Sequence, residues 1–484
     1  MTRHLVAGID SSTQSCTCII RRLEDGAFVA KGQAPHPPTT PPCSEQDPRR
    51  WWQALNEAFT QVSAYLPSVA ALSVGGQGHG LVLLDKDDRP VRPAKLWNDT
   101  ESAAEAEQLC AQLSSSVWAE RTGSVPAPAL TVAKIAWTRK HAPEALARTA
   151  RIMLPADYLV YLLGGRSVSE RGGSSGTGYF NPFQDSWDYE LADLAAPGLD
   201  WDKLLPCIID SSAIAGSVGG VAGLEALDGA VVGAGSGDNM TAALGLGIEE
   251  GDTVISLGTS GTVYTVTGGG IKDPTGTVSG YADASGRFMP MITTLNAAKV
   301  TDCFRRLMGV SVDQFDRLAL AAAPGSGGMI LVPYLDGERT PNRPHATGLI
   351  KGLRSNATPE QLARSVIEGV LCGLLSGRDS LRKAGVVLNG RLILTGGAAR
   401  SRAYQQILAD LTGEPVYLSA LDEAAGAGAA VQAAAALTGR STRAVARDWA
   451  PGLTLVAVPM PHVDATAICA AYSEAVENFL ARSE

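Results

Sequence analysis

The chain opens on an apolar run, Leu5–Ile9, that breaks into the polar turn Asp10-Ser11-Ser12-Thr13-Gln14 and resumes as an alternating run from Cys16 to Ile20. Period-two alternation around a cluster of turn residues predicts strand–turn–strand. From Thr253 the scheme recurs as TVISL, a Gly258-Thr259-Ser260-Gly261 turn, and TVYTVT. This internal repeat predicts a duplicated α/β fold, with domains over 1–244 and 245–484. Between the two openings lie helical patterns (PRRWWQALNEAFTQVSAYL, PALTVAKIAWTRKHAPEALART) and short strands (ALSVGG, LVLLD). The stretch Asp228–Gly247 reads as a buried strand, a glycine turn carrying Asp238 and Asn239, and a small-residue helix. Later, RLILTGGAARSRAYQQILADLTG reads as a strand, a turn at Gly396-Gly397 and an amphipathic helix. Such a turn aims helix N-terminal amides at a phosphate. A closely packed alanine helix, AAGAGAAVQAAAALTG, follows.

Composition narrows the chemistry. Among 484 residues, 40 are basic and 49 acidic, a net charge of −9 with no basic cluster. That argues against a nucleic-acid binder, whose affinity rests on cations neutralising phosphates. The 53 glycines and 27 prolines predict many tight turns. The apolar run before Asp10 is too short for a signal-peptide core. The long uncharged stretches, Thr253–Ile271 and Ala424–Gly439, are rich in Gly, Ser, Thr or Ala and read as turns and buried helix, not a membrane span. Eight cysteines without a CxxC pair read as reduced thiols of a cytoplasmic protein.

No Gly-Lys dipeptide is present, so a Walker A loop is excluded, and there is no HExxH. The one GxSxG match, Gly172–Gly176, reads without a convincing buried strand before it or a clear helix after it, and a nucleophile elbow requires both. What remains is three phosphate-friendly turns, at Asp10, Gly258 and Gly396, with two strand-end carboxylates, Asp10 and Asp238. Phosphoryl transfer needs positioning, a metal to neutralise phosphate charge, and a base for the acceptor hydroxyl, a role that Asp can fill.

Nine segments in order (GIDSSTQS, GGQGHGLVLLD, KLWND, AKIAW, LPADYL, GSGDN, SLGTSG, YLDGERTP, LTGGAARS) resemble the FGGY carbohydrate kinases of the actin–hexokinase superfamily. The resemblance implies two actin/hexokinase-like (ribonuclease H-like) α/β domains flanking a cleft, with sugar on the N-terminal half and nucleotide on the C-terminal half. It implies ATP and Mg²⁺, with Asp238 as general base and Asp10 organising the metal, helped by Thr13. Gln77, Gly78, His79, Trp97, Asp99 and Asn239 would face the sugar. Gly258 and Thr259 would approach the phosphates, and Gly397, Ala398 and Ser401 would border the adenosine. From the residues alone, Asp10 also reads as a turn cap, His79 as a strand-end histidine and Trp97 as core packing. Glu338 and Arg339 in YLDGERTP look catalytic, yet read equally as charges paired across a turn and are left out of the site; Trp51 and Trp52 read as helix-face packing. The acceptor implied is a ketose, D-xylulose first, with ribulose, glycerol or a non-catalytic sugar-binding regulator as alternatives; a homodimer is compatible with the family. Three positions depart from its pattern: Thr17 where a Lys or Arg is usual, Gly78 where the side chain is larger, and Gly173 where an Asp is common.

Overall fold

A computed structural model describes residues 3–40 and 42–480. Two compact units emerge: one comprises Met1–Ile248, Val266–Met289 and Leu421–Pro451, the other Glu249–Thr265, Pro290–Ala420 and Gly452–Glu484.

The first unit is built on a mixed sheet of β1 (Leu5–Ser11), β2 (Ser15–Arg22), β3 (Phe28–Pro35), β4 (Val69–Gly76), β5 (Ile214–Ser217), β6 (Val231–Gly233) and β7 (Ser236–Gly237). Its order is β5-β6-β4-β1-β2-β3, with β7 also paired to β4. The polar turn makes β1 and β2 an antiparallel hairpin, whereas β4 joins β1 in parallel. A second, seven-stranded sheet includes β8 (Thr253–Leu257), β9 (Gly261–Tyr264), β10 (Phe288–Thr294), β11 (Leu392–Thr395), β12 (Val416–Ser419) and β13 (Leu453–Ala457), these six in the order β10-β9-β8-β11-β12-β13. Each sheet is a meander of three antiparallel strands whose first strand then pairs in parallel with the fourth. The duplicated α/β fold is thus present in both sheets, and its two predicted hairpins occupy equivalent places.

The alanine helix, Ala424–Thr438, belongs to the first unit and is buried from Gly426 to Ala436. Its small residues are a steric requirement. A Cβ on Gly8 would stand 1.9 Å from the Gly426 carbonyl oxygen, and one on Gly428 would stand 1.7 Å from that of Thr241. The helix therefore lies backbone-to-backbone against β1 on one side and the helix Asp238–Leu246 on the other, at a density that leaves no room for one extra carbon. Around this layer the core gathers Ile9, Cys18, Leu55, Phe59, Leu72 and Val74. Trp51 is fully buried in it and Trp52 packs at its margin, both on one helix (Pro48–Gln61).

Two local expectations change. Asp238 and Asn239 are the first two residues of a helix rather than part of a turn, because β7 ends at Gly237. After β11 the chain makes a 3-10 turn, Gly397–Arg400, before the helix Arg402–Thr412 begins at its Ser401 cap. No helix among the described residues is long and apolar enough to cross a membrane.

Candidate active site

Register places the first unit's carboxylates. Asp10 lies opposite Gly75 and Ser11 opposite Gly76 on β4, whose other edge pairs Gly75 with Ser236 and Gly76 with Gly237. Asp238 follows directly. Asp10 and Asp238 therefore stand at the carboxyl edge of one parallel set of strands, separated by the width of β4, the edge where open α/β sheets bind ligands. Burial pushes the Asp10 carboxyl up to about 7; the charges of Asp238 and Glu423 add to the effect and a hydrogen bond from Ser12 opposes it. Asp238 is pushed up to about 6, again chiefly by burial, against two donors from Asn239: its backbone N–H at 2.7 Å and its Nδ2 at 2.9 Å, both to Oδ1. Asn239 thus holds the carboxylate and leaves Oδ2 to other partners.

Gln77 follows β4, its backbone N–H donating to the Ser11 carbonyl at 3.0 Å. Its side chain is buried, yet Oε1 has no hydrogen-bond partner among the described residues. A buried acceptor without a donor calls for an explanation, and a ligand hydroxyl supplies one. The Trp97 indole Nε1 donates to Thr13 Oγ1 at 2.9 Å, fixing this ring against the first turn. His79 adopts a left-handed backbone (φ 64°), with Nε2 3.4 Å from the Tyr281 hydroxyl and the ring against Gly176, where a Cβ would stand 1.8 Å from Nδ1. Strain of that kind concentrates at functional sites. At Gly78, by contrast, a Cβ would meet no atom of the described residues within 4 Å.

Asp99 has other partners. It is fully buried, accepts from the Ser44 and Glu101 backbone N–H groups and pairs with Lys95 Nζ at 3.1 Å. Lys95 also meets Glu45 at 3.1 Å and Glu101 at 2.5 Å and lies 3.8 Å from the Trp137 ring centre. Cys43, Glu45, Asp99 and Glu101 converge closely enough to hold a metal ion, but the Lys95 ammonium already supplies the cation. Burial lowers its pKa and the three carboxylates more than reverse this, so Lys95 stays charged. Residue reading missed this cage, since only Lys95 and Asp99 share a motif.

Thr17, where a cation was expected, is buried directly across from Asp10 on β2. Contrary to the sequence reading, a buried strand, Val168–Glu170, leads into the GxSxG match and a short helix, Arg171–Ser174, runs into it, but Ser174 is itself buried, its hydroxyl 2.9 Å from that of Ser169, so it presents no nucleophile. Reading that motif for its serine hid Glu170 just before it, a buried carboxylate that burial raises to about 6.

In the second unit, Gly258 and Thr259 form the β8–β9 turn, their carbonyls accepting from Ala298 and Ala297 N–H at 2.9 and 3.3 Å. Gly396 (φ 90°) abuts β8, where a Cβ would stand 2.6 Å from the Leu257 carbonyl oxygen, so glycine lets the two turns lie side by side. Thr259 and Gly397 are exposed and Ala398 is half-buried. Ser401 caps the following helix, accepting from Tyr404 N–H at 3.1 Å and donating to Asp316 Oδ1 at 2.7 Å. Glu338 is buried and accepts from the Leu295 and Arg339 backbone N–H groups and from Asn296 Nδ2, a structural arrangement.

Models of the N- and C-terminal domains of the FGGY family of carbohydrate kinases match residues 5–245 and 253–437. A xylulose kinase of Streptomyces coelicolor is 43% identical over 474 residues, covering 97% of this chain and 96% of that one. One of Streptomyces rubiginosus is 44% identical, covering 94% and 93%. The crystal structure of a xylulose kinase from Bifidobacterium adolescentis superposes with a TM-score of 0.84 at 34% identity, covering 98% of this chain and 99% of that one.

Proposed function

Because the chain belongs to the FGGY family of carbohydrate kinases, we propose that it transfers the γ-phosphoryl group of ATP to D-xylulose, giving D-xylulose 5-phosphate and ADP. The relatives named xylulose kinase, which align over nearly the whole chain, support this acceptor. The observation that carries the mechanism is the pair Asp10 and Asp238 at one sheet edge, with Asp238 raised to about 6. A carboxylate of that pKa is largely ionised near neutral pH and still a competent proton acceptor.

In this reading Asp238, steadied by Asn239, takes the acceptor hydroxyl proton as that oxygen bonds to the γ-phosphorus and the bond to the ADP oxygen breaks. Gln77 Oε1 accepts from a second hydroxyl, and His79 and Trp97 bound the sugar. Asp10, with hard oxygen donors and only acidic charges acting on its pKa, suits Mg²⁺. When bound, that ion neutralises phosphate charge. Gly258, Thr259, Gly397 and Ala398 would receive the nucleotide in the second unit, with Ser401 holding the adenosine-side helix in place.

A second reading, a different ketose or a polyol as acceptor, is favoured by the open space at Gly78. ATP consumption in a coupled assay across D-xylulose, D-ribulose, L-ribulose, L-xylulose and glycerol separates the two. Preference for D-xylulose supports the proposal, preference for another acceptor replaces the substrate, and silence on all of them refutes the kinase mechanism.

A further inference from the structure

Glu170 plays no part in the chemistry above, yet it is 1% exposed and its carboxylate accepts from four separate donors. One oxygen, Oε2, accepts from the Gly172 and Gly173 backbone N–H groups at 2.9 and 3.3 Å and from Ser236 Oγ at 2.6 Å. The other, Oε1, accepts from Ser211 Oγ at 2.5 Å. Ser236 begins β7, two residues before Asp238. The loop that Glu170 caps rests directly on that strand: a Cβ on Gly172 would stand 2.9 Å from Ser236 Oγ, and one on Gly173 would stand 3.4 Å from the Gly237 nitrogen.

We propose that Glu170 is a positioning residue for phosphoryl transfer, locking the loop Arg171–Ser174 to Ser236–Gly237 and thereby fixing where Asp238 meets its acceptor. The inference rests on the reading of Asp238 as the base. Capping a four-residue helix needs only the two glycine amides. The bonds to Ser236 and Ser211 go beyond capping and reach the strand that ends at the base. A buried carboxylate is expensive to desolvate, and an uncharged side chain would fill this space at lower cost. The charge persists because it accepts from four donors at once, an arrangement that glutamine, with one acceptor oxygen and an NH₂ group, cannot reproduce. Small displacements of a reacting group are amplified in rate: about 1 Å can reduce it on the order of 100-fold.

The test compares Glu170→Gln, Ser236→Ala, the double variant and Asp238→Asn, by steady-state kinetics with D-xylulose and ATP normalised to folded protein. The expected result is a fall in kcat of about 10- to 100-fold in both single variants, with KM for both substrates within about 3-fold. The double variant should lose no more than the worse single one, because both break the same link. Ser236→Ala leaves the loop cap intact and serves if Glu170→Gln fails to fold. Unchanged kcat per folded molecule in the single variants, alongside an inactive Asp238→Asn, overturns the role of Glu170 while sparing the base. Activity retained by Asp238→Asn overturns the base, and this inference with it.

Discussion

Replacing Asp238 by asparagine removes a charge and almost no volume, so it separates what the carboxylate does for catalysis from what it does to the fold. In the folded chain its pKa rises from 3.8 to about 6 through burial. Between those values the native state binds a proton that the unfolded state has released, so stability falls as pH rises through the window and stays lowered above it. At about 1.4 kcal/mol per pH unit the ceiling on this penalty is ~3 kcal/mol at pH 8, and roughly half of it remains at pH 5. The side chain is only half-buried, and asparagine accepts more weakly from Asn239 than a carboxylate does, so the net gain expected is about 1–2 kcal/mol. Asp238→Asn should therefore unfold at a higher denaturant concentration than the parent at pH 8, with the difference shrinking at pH 5, while kcat drops by about 10²–10⁴. Urea titrations at the two pH values and the coupled ATP assay check both. A variant that is inactive but no more stable at pH 8 would refute the burial argument; one that is stabilised yet fully active would refute the base.

Further outcomes follow from other contacts. Lys95→Met leaves the fully buried Asp99 without its cation and should destabilise by about 3–5 kcal/mol near neutral pH, which chemical denaturation measures. Gly8→Ala forces a carbon against the Gly426 carbonyl and should lower stability by about 1–3 kcal/mol or more in a thermal melt. Gly78→Met, entering open space, should leave the melting temperature nearly unchanged while reducing kcat/KM for ribulose or glycerol relative to D-xylulose.

Local chemistry was the readable part of the sequence. The two hairpins around Asp10 and Gly258 follow from alternation interrupted by turn residues, and the same pattern made the duplication visible. The start of the helix at Asp238 was misplaced by two residues, because glycine-rich flanks signal a turn whether or not a helix begins inside it. Lys95 was recognised only as part of a motif; its partners Glu45, Glu101 and Trp137 come from separate segments that converge only in the fold. The all-alanine face of Ala424–Thr438 marks close packing but carries no sign of which sheet it covers, since alanine fits any close neighbour equally.

That last helix bears on how the protein is made. The ribosome releases β1, β4 and the Asp238–Leu246 helix long before Leu421–Pro451, the segment that completes the same unit. At about 5–20 residues per second, the intervening chain takes on the order of 10–40 s to synthesise. Throughout that interval the nascent first unit carries a bare apolar face where Gly8 and Thr241 will later receive the helix. A gene truncated after residue 248 should yield aggregated protein for the same reason, and co-expressing the missing segment in trans should return part of it to solution.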